Sequence, residues 1–290
     1  MIVRRFDHRD FGVDALISAK GDRVVSLCLP ARDEAATIGE IVGLCAGHPL
    51  LDEVLVVDDH SDDETAPVAE AAGARVVRAS DVLAAHGGGP GKGQALWKAV
   101  ASARGEILAF VDADLRDFSL HYVTGLLGPL LTDDAVGFVK AYYQRAGDGH
   151  PRGGGRVTEL VARPVLHLLF PELADVVQPL AGEFAGRRSV LEAVPFVQGY
   201  GVDIGLLIDV ARRFGLESLA QVDLGYRVHR NRPLPELGPM ATEVLMTALR
   251  RAGVALPDTV ALARPGLRSV DVAFAERPPL AELGWGRPAG

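Results

Sequence analysis

Residues 107–114 read Ile-Leu-Ala-Phe-Val-Asp-Ala-Asp, an apolar run that ends in two carboxylates separated by an alanine. An uninterrupted apolar run predicts a strand buried on both faces of a parallel sheet. Ligands of open α/β sheets bind at the carboxyl ends of such strands, so we expect Asp112 and Asp114 to lie at a functional site. This spacing suits a divalent cation that holds a diphosphate, because Mg2+ usually takes few protein carboxylates plus phosphate oxygens. The alternatives are a solvated loop and the start of a helix.

Similar runs rich in valine and leucine alternate along the chain with segments of helical periodicity. Strands are predicted at residues 24–29, 53–57, 75–77, 107–111, 136–141 and 219–224. Helices are predicted at residues 34–45, 64–72, 93–103, 119–131, 157–170, 202–214 and 236–252, with Thr37, Asp63 and Ser119 as N-terminal caps. The alternation indicates an α/β fold with a doubly wound, mostly parallel sheet.

The composition favours a small-molecule partner over a polymer. At 290 residues with 48% hydrophobic content, the chain is long enough for a substantial core. A formal net charge of -8 and a pI near 5.5 disfavour broad attraction to nucleic acid or to an anionic membrane. No apolar run approaches the roughly 18 residues of a membrane helix, and residues 1–14 contain no signal-like apolar segment. Reduced, buried thiols are expected at Cys28 and Cys45, which is consistent with a cytoplasmic location.

Two turns that follow the first two strands are rich in acids. Residues 29–38 read Leu-Pro-Ala-Arg-Asp-Glu-Ala-Ala-Thr-Ile, and the turn amides and Glu34 are suited to reading a base and its ribose. A plain connection with acids that complement the helix dipole is an equal alternative. After the second strand, Asp58 or Asp59 is suited to bonding ribose or base, whereas His60 is expected to face solvent.

Two glycine-rich segments lead into predicted helices and are expected to be mobile surface loops, at residues 80–91 and 147–155. Lys92 follows the first of them, at the start of a predicted helix, where the backbone amides favour an anion. We therefore expect Lys92 to lie beside a diphosphate; the alternative is a surface lysine in a loop. The segment is not a Walker A loop, because the required glycine and hydroxyl spacing is absent. After the second loop, Arg156 and Thr158 suit a phosphate or carboxylate on an acceptor.

Two later segments carry further candidates. Asp203, in Gly-Tyr-Gly-Val-Asp at residues 199–203, is by default a helix cap, and otherwise a group that orients sugar or acceptor. Residues 226–232 read Tyr-Arg-Val-His-Arg-Asn-Arg. The imidazole of His229 is suited to completing a cation's shell and the arginines to binding anions, whereas a solvated basic loop is the alternative.

Taken in order, these motifs resemble those of the glucosyl-3-phosphoglycerate synthases, over roughly residues 14–249. The resemblance implies a GT-A type nucleotide-diphospho-sugar transferase fold with a C-terminal acceptor-binding subregion. It further implies a retaining enzyme that transfers glucose from UDP-glucose to the 2-hydroxyl of 3-phosphoglycerate. The implied cofactor is Mg2+, or Mn2+ or Co2+ in its place, and the implied assembly is a homodimer without nucleic acid or membrane.

The resemblance also assigns roles to individual positions. The positions assigned to binding of the donor are Pro30, Ala31, Glu34, Asp59, Lys92, Asp112 and Ala113. The positions assigned to binding of the acceptor are Arg156, Val157, Thr158, Tyr200, Gly201 and Asn231. The metal ligands are Asp114 and His229, and the catalytic set is Lys92, Asp112, Asp114 and Asp203, with Asp203 orienting the substrate.

The chain departs from the family pattern at three positions in or beside the donor site. It has Ala113 where the family more usually has serine, Asp59 in place of serine, and Asp203 in place of glutamate. The donor therefore stays open between UDP-glucose and the GDP-mannose or GDP-glucose of a related mannosyl-3-phosphoglycerate synthase.

Two other functions are weighed against glycosyl transfer. A nucleotidyltransferase is disfavoured because residues 30–36 contain no glycine for a phosphate loop. A nucleotide-sugar sensor would bind the donor without turnover. The predicted organisation is a nucleotide-sugar-binding region at 1–145, an acceptor-binding region at 146–256 and a tail from 257 to 290 that wraps the surface or a partner.

Overall fold

The computed structural model describes residues 3–89, 91–145, 155–227 and 233–284, and within them the six predicted apolar runs all form strands, alongside six strands that were not predicted. Together the strands are β1 (Arg4–Asp7), β2 (Val25–Ala31), β3 (Glu53–Asp58), β4 (Arg75–Arg78), β5 (Ile107–Phe110), β6 (Phe138–Arg145), β7 (Phe184–Arg187), β8 (Phe196–Val197), β9 (Leu219–Arg227), β10 (Thr259–Arg264), β11 (Leu267–Ala273) and β12 (Glu276–Arg277).

The main sheet has the strand order β1-β9-β6-β7-β5-β2-β3-β4. Its pairings are parallel except that β7 runs antiparallel to both β5 and β6. The predicted α/β fold with a doubly wound, mostly parallel sheet is therefore confirmed. Strand β7 has no counterpart in the predicted set, because its four residues are too few to show a periodicity.

The helices of the described residues lie close to the seven predicted segments, except for two that were not predicted, Val13–Lys20 and Arg188–Leu191, and for two changes within the predicted set. They are α1 (Val13–Lys20), α2 (Ile38–Cys45), α3 (Thr65–Ala71), α4 (Lys92–Ser102), α5 (His121–Thr132), α6 (Arg163–Leu169), α7 (Arg188–Leu191), α8 (Val202–Phe214) and α9 (Leu234–Arg251). The segment predicted as one helix at 157–170 contains a π-helical stretch, Thr158–Ala162, before α6. Helix α2 begins at Ile38 rather than at residue 34, because residues 35–37 form a turn and Thr37, with a φ of -125°, is not helical.

The predicted caps have different roles. Glu64, rather than Asp63, occupies the cap position of α3, although Asp63 accepts a hydrogen bond from the amide of Thr65 at 2.9 Å. Thr37 precedes α2 but makes no capping bond, because its hydroxyl donates to the carbonyl of Ala113. The prediction for Ser119 is wrong: its hydroxyl contacts the ring of His121, and Leu120 occupies the cap position of α5.

Alternate residues of the central strands pack on opposite faces of the sheet. Leu108 and Phe110 of β5 join the hydrophobic core formed with α4 and α8. Ile107 and Ala109 join the core formed with α2 and α5. Both faces of the strand are thus covered by helices, which explains why its sequence is apolar without alternation. The thiols of Cys28 and Cys45 are free and buried, as predicted.

The C-terminal segment is more regular than its proline and glycine content predicted. Strands β10 and β11 form an antiparallel hairpin, and β12 pairs with β8. The indole of Trp97 donates to the carbonyl of Pro278 at 3.0 Å, and Arg277 donates to the side chain of Gln94 at 2.6 Å. The segment is therefore bonded to α4. Of the helices in the described parts of the chain, none is long and apolar enough to cross a membrane.

Candidate active site

A cavity of about 650 Å3 lies at the carboxyl ends of β2, β3 and β5. These ends are where an open parallel sheet binds ligands. Its wall is built from segments that are distant in the sequence. Besides the turns after these strands, it includes the start of α4, the turn that precedes α8, one residue of α9 and the chain around the end of β11. A second cavity of about 630 Å3 lies beside α8 and β12, but its Asp209 and Glu276 are paired with Arg251 at 2.8 and 2.7 Å. The first cavity is therefore the candidate active site.

One end of the cavity is formed by the turns after β2 and β3. Pro30, Ala31 and Glu34 line it, and burial followed by repulsion from Asp114 raises the pKa of Glu34 to about 7. Asp59 is buried and also lines the wall, where its Oδ2 accepts a hydrogen bond from the amide of Gly91 at 2.9 Å. Asp59 thus connects the end of β3 to the start of α4.

Lys92, the first residue of α4, is held by two carboxylates. Its Nζ lies 3.0 Å from Oδ2 of Asp203 and 3.8 Å from Oδ1 of Asp112. Burial alone would lower the Lys92 pKa, but Asp203 and Asp112 raise it, so the ammonium group stays charged. Asp203 in turn contacts Nζ of Lys140, a buried residue of β6, at 2.9 Å.

Asp112 and Asp114 share a second cation, Arg227, at the end of β9. Its Nη2 lies 3.5 Å from an oxygen of each carboxylate, and its Nη1 pairs with the fully buried Glu183. The same Nη1 donates to the hydroxyl of Tyr143 at 2.9 Å. Burial opposes ionisation of Asp112, but Lys92 and Arg227 lower its pKa. Asp112 is therefore an ionised, immobilised carboxylate.

Asp114 differs from Asp112 in its exposure. Its side chain is 57% exposed, and partial burial and the charge of Asp112 raise its pKa. The carbonyl of the intervening Ala113 accepts the bond from Thr37, at 2.6 Å, which fixes this segment to the start of α2. Asp114 thus presents an oxygen ligand in a wall where the acids repel one another.

A divalent cation fits this donor set. Glu34, Asp112 and Asp114 line the same cavity, and burial, followed by repulsion from a neighbouring aspartate, raises the pKa of Glu34 and of Asp114. Within residues 3–89, 91–145, 155–227 and 233–284, no group of three or more His, Cys, Asp and Glu side chains is arranged to hold a metal. Mg2+ and similar ions need no such group where phosphate oxygens complete the shell. Asp114 is the described residue best placed to hold the ion.

Comparison with known proteins identifies the family. The sequence model of glycosyl transferase family 2 matches residues 26–194. The glucosyl-3-phosphoglycerate synthase of Mycolicibacterium smegmatis is 51% identical over 247 residues, which are 82% of this chain and 81% of that protein. The chain belongs to the glucosyl-3-phosphoglycerate synthase family. It is therefore a glycosyltransferase.

Solved structures agree with this assignment. The glucosyl-3-phosphoglycerate synthase of Mycobacterium tuberculosis, crystallised with Mn2+, uridine-diphosphate-glucose and phosphoglyceric acid, superposes with a TM-score of 0.89 at 43% identity. The match covers 97% of this chain and 99% of that one. The mannosyl-3-phosphoglycerate synthase of Rubrobacter xylanophilus has a TM-score of 0.87 at 39% identity, with 97% of each chain covered. The GT-A type fold implied by the motifs is thus confirmed.

The cavity of this glucosyl-3-phosphoglycerate synthase family member is lined by all seven predicted donor positions and by the predicted metal ligand Asp114. Those that line it are Pro30, Ala31, Glu34, Asp59, Lys92, Asp112, Ala113 and Asp114, together with Tyr200 from the acceptor set. Arg156 is exposed and Val157 and Thr158 are buried, and the described wall does not include them. Gly201 lies against α9, and His229 and Asn231 lie outside the described residues. The ligand roles of all these residues stay predictions.

The default interpretation of Asp203 as a helix cap is wrong. Gly201 occupies the cap position of α8, and the side chain of Asp203 forms no capping bond. Both of its oxygens are engaged by Lys92 and Lys140, and its side chain is 5% exposed. In this synthase family member Asp203 is therefore a positioning residue for two lysines. An orienting contact with substrate would require one of those ion pairs to rearrange.

Several residues of the site were not predicted. Lys140 and Glu183 had no assigned role, and Arg227 was predicted only as one of several arginines that bind anions, whereas it pairs with Glu183, Asp112 and Asp114. A lysine inside the apolar run at 136–141 was a signal, because a buried lysine needs a carboxylate partner. Glu183 precedes the unpredicted strand β7, so no sequence pattern placed it next to Arg227.

Gly182 provides a test of the site's geometry. A Cβ at this position would lie 2.4 Å from both carboxylate oxygens of Asp112, so a side chain there must displace Asp112 from Lys92 and Arg227. We expect Gly182→Ala to lower kcat/KM by about 10- to 100-fold, since misplacement by about 1 Å is costly in a catalytic site. Initial rates of nucleotide release measure the effect.

A matched control is Gly43→Ala in α2, where an added Cβ meets no atom within 4 Å. This change should leave kcat/KM unchanged, because it only removes the flexibility of an exposed helical glycine. Equal rates for Gly182→Ala and the unmodified protein would show that the position of Asp112 is not critical.

Proposed function

We propose that this chain transfers glucose from UDP-glucose to the 2-hydroxyl of 3-phosphoglycerate with retention of anomeric configuration. The observation that carries the proposal is the lysine and the two aspartates, Lys92, Asp112 and Asp114, in one cavity wall beside the turns after β2 and β3. A nucleoside, a diphosphate and a metal ion can be bound in that order along this wall. The relative from M. tuberculosis binds UDP-glucose and phosphoglyceric acid with Mn2+, which supports the same substrates here.

Lys92 is assigned to the departing diphosphate. Its ammonium group stays charged and is fixed by Asp203 and Asp112, so it need not reorganise as negative charge develops. When bound by Asp114 and the predicted ligand His229, Mg2+ or Mn2+ supplies further positive charge to the diphosphate. Stabilisation of the leaving group is the main catalytic contribution in this proposal.

Retention requires the acceptor to approach from the face that the leaving group vacates. The bond from the anomeric carbon to the UDP oxygen breaks, and a bond from that carbon to the 2-oxygen of the glycerate forms. The proton of the 2-hydroxyl passes to the departing phosphate. Asp203 is not assigned as a nucleophile, because both its oxygens are paired with lysines and its side chain is buried.

The proposal is tested with a panel of donors. Purified full-length protein, 3-phosphoglycerate and Mg2+ are combined with UDP-glucose, GDP-glucose or GDP-mannose. We expect a phosphorylated α-glucoside from UDP-glucose, identified by mass spectrometry and NMR, and no product when EDTA removes the metal. Preference for GDP-mannose would support the mannosyl alternative, and a β-linked product would contradict retention.

Failure with every donor would refute glycosyl transfer to 3-phosphoglycerate. Calorimetry with the same donors then distinguishes a nucleotide-sugar sensor, which binds without turnover, from a protein of another function. The proposal includes a homodimer, on the family resemblance, and a cytoplasmic location, on the free and buried thiols of Cys28 and Cys45.

A further inference from the structure

Glu243 of α9 is a cavity-wall carboxylate that the proposed transfer does not use. Its Oε2 accepts a hydrogen bond from the amide of Tyr200. In the parts of the chain that the structure describes, Oε1 has neither a hydrogen-bond nor an ion-pair partner. Glu243 lines the cavity, so this oxygen is the one left for a ligand there.

The turn at residues 199–201 is shaped to hold Glu243 in this position. A Cβ on Gly199 would lie 2.1 Å from Oε2 of Glu243, and a Cβ on Gly201 would lie 2.1 Å from the hydroxyl of Thr247 on the same helix. Both glycines therefore let the turn lie directly against α9. Burial also raises the pKa of Glu243, which the Tyr200 amide opposes. The carboxylate is a fixed part of the wall rather than a free surface side chain.

The place of Glu243 along the cavity indicates which part of a nucleotide sugar it meets. The turn continues from Gln198, whose carbonyl accepts the amide of Gln94 at 3.1 Å, two residues after Lys92. The nucleoside candidates come instead from the ends of β2 and β3. The turn leads into α8, where Asp203 holds Lys92, so a hexose attached to a diphosphate at Lys92 would lie next to this wall. A carboxylate there repels an anionic acceptor and accepts hydrogen bonds from neutral hydroxyl groups.

We propose that Glu243 binds a hydroxyl group of the transferred hexose through Oε1, and thereby contributes to recognition of the donor sugar. This inference rests on the proposed function for the identity of the ligand. It assigns to α9 a contact that Asp203 is not free to make, since the Asp203 oxygens are paired with Lys92 and Lys140.

The test compares binding of UDP-glucose and of UDP, each with Mg2+, by calorimetry. In Glu243→Gln, the amide oxygen can still accept from Tyr200, but an NH2 group replaces the free oxygen. We expect affinity for UDP-glucose to fall by about 10- to 100-fold, as for loss of a hydrogen bond to a charged group, and affinity for UDP to stay within about twofold. Equal losses for both ligands, or no loss for either, would overturn the inference.

Two further variants separate this role from general effects. Glu70→Gln removes one negative charge from the exposed surface of α3 and should change neither affinity. Glu243→Asp keeps the charge but withdraws the oxygens by one methylene group, so it should reproduce the selective loss of UDP-glucose affinity. It also keeps the test decisive if the glutamine variant does not fold.

UDP-glucose analogues that each lack one hexose hydroxyl identify the contact. One analogue should bind the unmodified protein more weakly than UDP-glucose binds it. The same analogue and UDP-glucose should bind the Glu243→Gln variant with equal affinity. If every analogue lost as much affinity relative to UDP-glucose in the variant as in the unmodified protein, a direct contact would be contradicted. These measurements read binding alone, so they stand whether or not the donor panel yields a product.

Discussion

Replacing Lys92 by methionine is expected to lower kcat/KM by about 100- to 1,000-fold, the range found when a preorganised charge-stabilising donor is removed. Lys92 is the cation fixed at the start of α4, between Asp203 and Asp112. The loss should fall mainly on kcat, because the charge on the leaving diphosphate grows toward the transition state. Steady-state rates over a range of UDP-glucose concentrations separate kcat from KM.

The fold should survive this change. Asp203 keeps Lys140 at 2.9 Å, and Asp112 keeps Arg227 at 3.5 Å, so neither carboxylate is left without a cation. Lys20→Met is the matched control, because it removes the same charge from a lysine that pairs with Asp52 and does not line the cavity. A loss below about tenfold for Lys92→Met would exclude leaving-group stabilisation as its main role.

The largest effect on stability is expected at Arg227. Replacing it by methionine leaves Glu183, which has no solvent exposure, without its ion-pair partner. Removing one member of a buried pair typically costs about 3–5 kcal/mol, because the remaining charge stays desolvated. We expect a decrease of that size in the free energy of unfolding, measured with urea.

The double variant Arg227→Met with Glu183→Gln should recover most of that loss, because no buried charge is then left unpaired. Arg5→Met is a control on the surface pair with Asp175, whose side chains are 47% and 40% exposed, and should cost less than about 1 kcal/mol. Equal destabilisation by the single and double variants would show that packing of the arginine, rather than charge pairing, is the source.

The effect of Arg227→Met should also depend on pH. Burial raises the pKa of Glu183 to about 7 although Arg227 opposes it, and removing Arg227 raises it further. When the pKa of a carboxyl group is higher in the folded than in the unfolded chain, the folded protein becomes less stable as the pH rises from the unfolded to the folded pKa. The deficit of the variant should therefore be larger near pH 9 than near pH 7, on the order of 1 kcal/mol per pH unit that the pKa values differ.

The sequence predicted the central fold and one side of the site because both depend on local patterns. The apolar run before Asp112 determines a strand covered on both faces, and a charged turn after such a strand must lie at the sheet's edge. Lys92 was predicted on the same basis, from the glycines before it and the helix after it. Each of these inferences needed only neighbouring residues.

The other side of the site depends on contacts between distant residues. Lys140 and Asp203 are separated by 63 positions, and Glu183 and Arg227 by 44. The antiparallel insertion of β7 between β5 and β6 brings these segments together, and four residues cannot reveal it. Asp203 was assigned to substrate rather than to lysines for the same reason, since neither lysine is near it in the chain.

The two thiols have a practical consequence for following this protein in solution. Cys28 packs with the helices on one face of the sheet and Cys45 with those on the other, and burial raises the pKa of both. A thiol that is protonated and shielded reacts slowly with maleimides. A fluorophore can therefore be attached at a cysteine introduced on the surface while both native cysteines stay in place.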